Sequence, residues 1–201
     1  MLTVDKTDNA PQFDPARPFN RLVEMFYLGA GGLLSVRHGW ALQLAGTDDA
    51  GRPRFLTMEA ADNEVAPDCH VPMRRAFSPD TTDREVELAF VAALGIGLMA
   101  QAYDSVFGEN ADPPESLRGH PAIEVFRHVR NACAHGNRFH FRGDEPRRGG
   151  QWGPVSLDSP ADQRGPAHPL HGQRCIGGEL GPADCLWLLQ AVEQLLVAAA
   201  T

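Results

Sequence analysis

The sequence lacks the short patterns by which many enzymes hold a metal ion or a nucleotide. Its 4 cysteines and 8 histidines form no Cys-x-x-Cys or His-Glu-x-x-His spacing, and Cys69-His70 is too isolated to serve as a metal site. The glycines of 29–32 are not followed by the Lys-Ser/Thr of a phosphate-binding loop. We therefore expect neither a metal nor an organic cofactor.

Long apolar runs and cysteine-dense segments are scarce as well. The longest apolar run, Leu88–Ala100, is shorter than the roughly 20 residues that a membrane-spanning helix needs. The first residues show no basic and apolar leader pattern, and four cysteines in 201 residues do not make a disulfide framework. These features predict a cytoplasmic protein without membrane contact.

Positive charge is in deficit over the chain but concentrated in one part of it. The net charge is -8, which argues against nonspecific binding to nucleic acid. Between Arg118 and Arg148, however, seven arginines stand against three acids, a local net of +4, whereas the remainder carries -12. This basic region is either a solvated arginine-rich loop or a surface that binds phosphate.

Apolar residues recur at helical spacing in four segments, and 43% hydrophobic residues suffice for a core. Thr82-Asp83-Arg84-Glu85 has the form of a capping box, and Gly108 and Gly136 follow periodic segments as helix stops. The sequence predicts one mainly α-helical domain over residues 1–201. The first of the four predicted helices opens near Pro18. The others run from Thr82 to Phe107, from Pro121 to His135, and from Ala183 to Ala199.

Three segments fall outside this helical pattern. Residues 1–16 are polar and predict a loose arm, while 39–77 predicts an irregular excursion with a possible hairpin. Residues 137–180 are rich in glycine and proline and predict a long loop without regular structure, of the kind that is often functional. The strands proposed for the first hairpin are Trp40–Leu44 and Arg54–Met58, and Pro67, Pro72 and Pro79 predict irregular chain beyond it. Gln151–Leu157 and Gln173–Ile176 are the candidate strands of the second excursion.

The third helix separates its residues into two faces when they are placed at 100° intervals. One face is apolar and predicts a core stripe of Ala122, Val125, Phe126, Val129, Ala132 and Cys133. The opposite face is polar and gathers Glu124, Arg127, His128, Asn131, His135 and Arg138. Arg130 lies between the two faces, and Asn131 and His135 are neighbours at a spacing of four.

These side chains suit the cleavage of RNA at its own 2′-hydroxyl. That reaction needs a base near neutral pH, an acid for the leaving oxygen and positive charge at the phosphate. Histidine titrates in the right range, and arginine offers a forked, permanent charge to phosphate oxygens. An asparagine beside them can hold an imidazole or a phosphate oxygen by a hydrogen bond.

The run Arg130-Asn131-Ala132-Cys133-Ala134-His135 resembles the Arg-polar-x-x-x-His signature of the HEPN superfamily, at the C-terminal end of a core helix, and Gly136-Asn137 strengthens the likeness. The resemblance implies a four- to five-helix bundle acting as a metal-independent ribonuclease. It further implies a homodimer with facing motif helices, and a toxin–antitoxin or antiphage system with an antitoxin or defence protein as partner. Arg130 and His135 would be catalytic and Asn131 orienting. Arg127, His128 and Arg138 are candidate RNA contacts.

Other interpretations remain open for each of these features. His135 can be a helix-end residue that bonds free carbonyls, and Arg130 a solvated edge residue. Arg127, His128 and His140 can be ordinary surface residues. The aromatic residues Phe139, Phe141 and Trp152 either stack bases or anchor a loop to the core. The whole chain can be a non-catalytic helical module that binds a nucleotide, RNA or a protein, or a purely structural bundle.

Overall fold

The computed structural model describes residues 17–38, 55–58, 69–72, 84–108, 111–158 and 164–200. Most of the regular structure in these ranges is helical, which confirms the prediction of a mainly α protein. The helices are α1 (Asn20–Arg37), α2 (Arg84–Phe107), α3 (Pro121–Ala134) and α4 (Pro182–Ala200). The strands are β1 (Phe55–Met58), β2 (Cys69–Pro72), β3 (Gln151–Trp152) and β4 (Val155–Ser156), with a 3-10 turn at Gly165–Ala167.

Helix α3 begins and ends where its local sequence signals predict. The His120 ring accepts the Ala122 amide at 3.3 Å, and Pro121 fills the first helical position, where no amide is needed. The backbone amide of His135 closes the last turn, and Gly136 follows with a φ of 77° that glycine adopts without steric cost. Helix α2 stops in the same way at Gly108, with a φ of 90°, while Thr82 of its predicted cap lies outside the described residues.

The predicted first hairpin is correct in one strand. β1 pairs antiparallel with β2, with Phe55 opposite Pro72 and Met58 opposite Cys69. The partner proposed from the sequence, Trp40–Leu44, lies outside the described residues. The expectation that prolines keep the chain irregular is wrong at Pro72, which ends β2 and so removes no amide from the middle of a ladder.

Two compact units make up the chain, one of residues Met1–Phe26 and Ala92–Thr201, the other of Tyr27–Val91. The second unit holds β1 and β2, and an ion pair of 2.9 Å joins Arg37 to Glu87. The start of α2 belongs to this unit and exposes Val86, Leu88 and Phe90. The prediction that α2 is a core helix throughout is therefore wrong for its first turns. The prediction of a single domain over 1–201 stays a prediction.

Two of the described helices are long and apolar enough to cross a membrane by length and composition alone. They are Arg84–Phe107 and Pro182–Ala200, each with 33% of its most apolar stretch buried within the protein. Core helices of water-soluble proteins satisfy the same criterion. The cytoplasmic location therefore stays a prediction.

The core of the first unit forms around α3. The ring of Phe126 packs 6.2 Å from Phe19 at the start of α1 and 5.2 Å from Tyr103 on α2, measured between ring centroids. Offset aromatic pairs at such distances stabilise a core beyond the apolar area that they bury. The predicted apolar stripe of α3 is buried as expected, and α4 adds Leu188, Leu189 and Val192 to the same core.

The 137–180 excursion is ordered where it is described, contrary to the prediction. Its second part forms a hairpin of β3 and β4, in which Trp152 lies opposite Val155. Its first part runs antiparallel to residues 171–175, because the Phe139 amide bonds the Gln173 carbonyl at 3.0 Å and the Phe139 carbonyl accepts the Gly172 amide at 2.8 Å. The predicted pairing of Gln151–Leu157 with Gln173–Ile176 is therefore wrong.

Candidate active site at the end of the third helix

The chain that leaves α3, residues 137–142, turns back along the protein as an extended segment that we call the return segment. Alternate side chains of an extended chain point to opposite sides. Phe139 and Phe141 point inward and are each 1% exposed. Arg138, His140 and Arg142 are exposed on the other side. Phe139 and Phe141 thus anchor the segment to the core, which for these two residues confirms anchoring over base stacking. The basic residues share the outer face of the segment.

Asn137 fixes the start of the return segment. It has a φ of 59°, a left-handed conformation that asparagine tolerates better than most residues. Its side-chain amide donates to the Ile176 carbonyl at 2.8 Å, and its side-chain oxygen accepts the Ile176 amide at 2.8 Å. These two hydrogen bonds connect the end of α3 to a strand-like stretch 39 residues further along the chain.

A cavity of about 290 Å³ opens between the end of α3 and the return segment, and we call it the His135 cavity. Its lining consists of His135, Arg138, Phe139, His140, Arg142 and Gly172. Arg138 is held in place because its Nη1 donates to the Gly172 carbonyl at 2.7 Å. Within the described part of the chain, no carboxylate lines this cavity. Its charge therefore favours an anion such as a phosphate.

A second imidazole lies beside His140 at the edge of this cavity. The rings of His140 and His171 are 5.1 Å apart between centroids. The Phe141 amide donates to Nδ1 of His171 at 3.2 Å, so the proton of a neutral His171 ring resides on Nε2. The backbone thus fixes both the orientation and the tautomer of His171, and His171 in turn limits where the His140 ring can lie.

Arg130 lies away from the His135 cavity. It is 6% exposed, and its Nε and Nη2 each lie 2.9 Å from Oδ1 of Asp104 on α2. Its guanidinium also lies 5.9 Å from the centre of the Tyr103 ring, a cation–π distance. The prediction that Arg130 binds the scissile phosphate stays a prediction, and that contact would have to compete with the Asp104 carboxylate. Arg130 and Asn131 line a separate cavity of about 240 Å³.

The predicted polar face of α3 is covered at two of its six residues. Glu124 and His128 are each 2% exposed, whereas Arg127 and Asn131 are half-buried and His135 and Arg138 are exposed. His128 packs 5.1 Å from the ring of Phe141, so the return segment lies over it. Burial argues against the proposed RNA contact of His128, because only 2% of the residue is accessible.

Burial also sets the protonation of His128. Desolvation, then the neighbouring Arg127 charge and His168, lower the pKa of His128 to about 3. The neutral ring accepts a hydrogen bond from Nη2 of Arg127 at 2.9 Å. Arg127 also pairs with Glu124 at 3.2 Å, so its charge is already partnered and its proposed contact with RNA would have to compete with these bonds.

A third cavity of about 310 Å³ contains more arginine but suits an anion less well. Arg118, Arg127, Arg147 and Arg148 share it with Asp112, Glu124 and Glu145. Glu124 pairs with both Arg127 and Arg148, at 3.2 and 3.5 Å. The carboxylates therefore offset most of the basic region that the sequence shows. Among the described residues, no carboxylate lines the His135 cavity, and Glu145 reaches only the backbone amide of Arg142, at 3.2 Å.

The three cysteines whose side chains the structure describes offer no exposed nucleophile. Cys133, Cys175 and Cys185 are free and buried. A hydrogen bond with Cys133, and then burial, raises the pKa of the Cys175 thiol, and burial raises that of Cys185 to about 12. Thiols with raised pKa stay protonated and unreactive. Within the described ranges, no group of three or more potential ligands could hold a metal ion.

Comparison of the chain with models of protein families, with curated proteins and with solved structures found no match. The assignment of the candidate site therefore rests on the geometry of the site alone. Sequence reasoning singled out His135 and Arg138, and the structure brings these two together. It missed Arg142, although the alternation Arg138-Phe-His-Phe-Arg142 is itself a signal for an extended segment with a basic outer face.

Proposed function

We propose that this protein is a metal-independent endoribonuclease of the HEPN type, with its reaction centre in the His135 cavity. The observation that carries the proposal is the joint lining of this cavity by His135, Arg138, His140 and Arg142. Imidazoles for proton transfer and guanidiniums for phosphate are the groups that cleavage of RNA at its own 2′-hydroxyl requires.

The proposed reaction is an internal transesterification. The 2′-oxygen of a ribose attacks the adjacent phosphorus while a base in the cavity removes its proton. The bond from phosphorus to the 5′-oxygen of the next nucleotide breaks, and an acid supplies a proton to that oxygen. The products are a 2′,3′-cyclic phosphate and a 5′-hydroxyl, and no electrons are exchanged with another reagent.

The residues take different parts in this reaction. His135 transfers a proton, since this exposed residue lines the cavity at the point where α3 ends. Arg138, held by the Gly172 carbonyl, presents positive charge to the phosphate. Arg130 acts as a positioning residue, because its ion pair with Asp104 fixes α3 against α2 without placing it in the cavity. Asn131, half-buried one helical turn before His135, is a candidate for holding the nucleotide that flanks the site.

The resemblance to the HEPN superfamily extends the proposal to the setting of the enzyme. It favours a toxin–antitoxin or antiphage system, with an antitoxin or another defence protein as partner, and a homodimer. Solution mass by light scattering tests the dimer directly, because a strict monomer across micromolar concentrations contradicts it.

The test of activity uses purified protein and a fluorescent single-stranded RNA in excess EDTA. Wild-type protein should cleave the RNA and leave cyclic phosphate ends, identified by mass spectrometry. His135→Ala should lose roughly 10²- to 10⁴-fold in rate, the usual contribution of a general acid or base. Arg147→Ala, at a side chain that is 72% exposed, provides a control for loss of surface charge. Metal-dependent cleavage, or equal cleavage by His135→Ala, contradicts the proposal.

A second candidate function is a non-catalytic module that binds RNA or a nucleotide. The observation in its favour is the partly buried ion pair of Arg130 with Asp104, which occupies one residue of the catalytic signature. Under this alternative, wild type and His135→Ala bind the same RNA, and neither produces cyclic phosphate at any protein concentration.

A further inference from the structure

The return segment places a second histidine at the same cavity as His135. His140 is exposed, and it follows His135 by only five residues, yet it reaches the cavity because the chain reverses at Gly136 and Asn137. Two residues with positive φ in succession, 77° and 59°, produce this reversal. The segment then stays in place through its hydrogen bonds with residues 171–175.

We infer that His140 is the second proton-transfer residue of the proposed ribonuclease, paired with His135 and assisted by Arg138 and Arg142, so that one chain carries a complete reaction centre. This inference rests on the proposed function and assigns the residues of the same site. It replaces the need for a second copy of α3, which the resemblance to the HEPN superfamily implies. A dimer, if formed, then holds two independent sites.

Two histidines solve a problem that one leaves open. Attack by the 2′-oxygen releases a proton, and departure of the 5′-oxygen requires one, on opposite sides of the phosphorus. A neutral imidazole accepts the first proton and becomes charged, while an imidazolium gives the second and becomes neutral. The phosphate between them keeps its charge, which Arg138 and Arg142 balance from the outer face of the return segment.

The surroundings of His140 fit this assignment. Its ring faces His171, 5.1 Å away, and the cavity around it carries His135 and the two guanidiniums. Among the residues that the structure describes, none of these neighbours is a carboxylate. His171 is a positioning residue, because the Phe141 amide occupies its Nδ1 and limits the rotation of its ring.

The volume of the cavity limits what it can contain. At about 290 Å³ it lies at the lower end of the roughly 300–1,000 Å³ range of small-molecule sites. It suits a phosphate with one ribose rather than a folded RNA element. The inference therefore specifies unpaired RNA as the substrate class, because an unpaired strand can turn one ribose and its phosphodiester into such an opening.

The first experiment compares two substrates that differ in one atom, an RNA dinucleotide with its normal 5′-oxygen leaving group and one with sulfur at that position. A thiolate leaves without protonation, so loss of the general acid matters little for the sulfur substrate. His135→Ala and His140→Ala should each lose roughly 10²- to 10⁴-fold on the oxygen substrate. One of the two should recover most of its rate on the sulfur substrate, and the other should not.

Other outcomes of this experiment are equally informative. Wild-type cleavage that is lost in His135→Ala but kept within threefold in His140→Ala overturns the inference and leaves the proposed function standing. Failure of the wild type to cleave either substrate defeats both. Two variants that are equally slow on both substrates also overturn the assignment of an acid and a base. His120→Asn, which keeps a side-chain acceptor at the exposed start of α3, is the matched histidine control and should cleave as wild type.

The second experiment tests whether the site lies within one chain. His135→Ala and His140→Ala chains with different tags are co-expressed, and complexes that carry both tags are isolated. A site within one chain stays inactive in every mixture, because each chain lacks one histidine. Recovery of a quarter or more of wild-type activity would show that the two histidines act across a dimer interface and would overturn the inference. An absence of mixed complexes, with cleavage by a wild-type monomer, supports it.

Discussion

Asn137 and Ile176 form a reciprocal pair of hydrogen bonds, each 2.8 Å long, between the side-chain amide of Asn137 and the backbone N–H and carbonyl of Ile176. The pair connects the end of α3 to the stretch against which the return segment lies. Both residues are buried, and Ile176 has no exposed surface. The pair lies where the return segment begins, and together with the backbone hydrogen bonds of Phe139 it directs the chain along residues 171–175.

Replacing Asn137 with alanine should therefore damage both stability and activity. The change removes two buried hydrogen bonds and leaves the Ile176 amide and carbonyl without partners, which costs about 2–4 kcal/mol in free energy of unfolding. It also places a less tolerant residue at a positive φ. Urea unfolding gives the first effect, and the rate of RNA cleavage gives the second.

The matched control is Asn20→Ala, which removes an exposed bond to Glu24 and should change stability by less than about 0.5 kcal/mol. If Asn137→Ala is as stable as this control, the pair does not determine the path of the chain.

The sequence was sufficient to predict α3 because its limits are local. Pro121 and Gly136 act within one turn of the residues that they limit, so their meaning can be recognised without knowledge of the fold. The candidate residues His135 and Arg138 depended on the same local signals. The positions of His140 and Arg142 beside them required the contact between Asn137 and Ile176, which is remote in sequence and is not encoded in any periodic pattern.

The polar face of α3 shows the limit of a helical wheel. A wheel sorts residues by polarity, and it correctly separated the apolar stripe. It could not show that Phe141 covers His128, or that Asp104 of another helix partners Arg130. Polar residues that find buried partners lie inside the protein, and those partners come from elements that the wheel does not contain.

Two glycines of α2 should respond in opposite ways to the same substitution. A Cβ at Gly97 meets nothing within 4 Å, so Gly97→Ala should raise the free energy of unfolding by about 0.5–1 kcal/mol, the usual gain in helix propensity. A Cβ at Gly95 lies 3.1 Å from the Cγ2 of Ile176. Because Ile176 is fixed by Asn137, it cannot easily move away, and Gly95→Ala should lower stability.

The measurement is thermal or urea unfolding of both variants beside wild type, each variant serving as the control for the other. A stabilising effect of Gly95→Ala equal to that of Gly97→Ala would show that Ile176 is free to shift.

The buried His128 should make stability fall as the pH is lowered. Its folded pKa of about 3 lies below the value of 6.5 for an exposed histidine, so between these limits the unfolded chain binds a proton that the folded chain does not. The contribution of His128 to the free energy of unfolding is therefore fully present above pH 6.5 and is lost as the pH falls toward 3. The contribution of His128 alone amounts to about 2 kcal/mol between pH 7 and pH 5. Burial also lowers the pKa of His168, which adds to the decline in the same direction.

Urea unfolding at pH 7 and pH 5 measures the effect. His128→Gln keeps an acceptor for Arg127 but cannot be protonated in this range, so the difference in stability between the two pH values should shrink by about 2 kcal/mol. His140→Gln tests whether the loss of any histidine has this effect. An unchanged difference in His128→Gln would show that the buried ring is not the source of the pH dependence.

The ion pair between Arg130 and Asp104 distinguishes a positioning residue from a phosphate ligand. A double-mutant cycle of Arg130→Met and Asp104→Asn should give a coupling free energy of about 1–3 kcal/mol, since the Arg130 side chain is only 7% exposed.

If Arg130 acts by fixing α3, each single variant should lower RNA cleavage to a similar degree, and the double variant should be little worse than either. If it binds the phosphate directly, Asp104→Asn should retain or gain activity while Arg130→Met loses it. These outcomes are separated by measuring kcat and KM for the three variants beside wild type, without urea and at a temperature where all four proteins are folded. Activity of Arg130→Met equal to that of wild type excludes both roles.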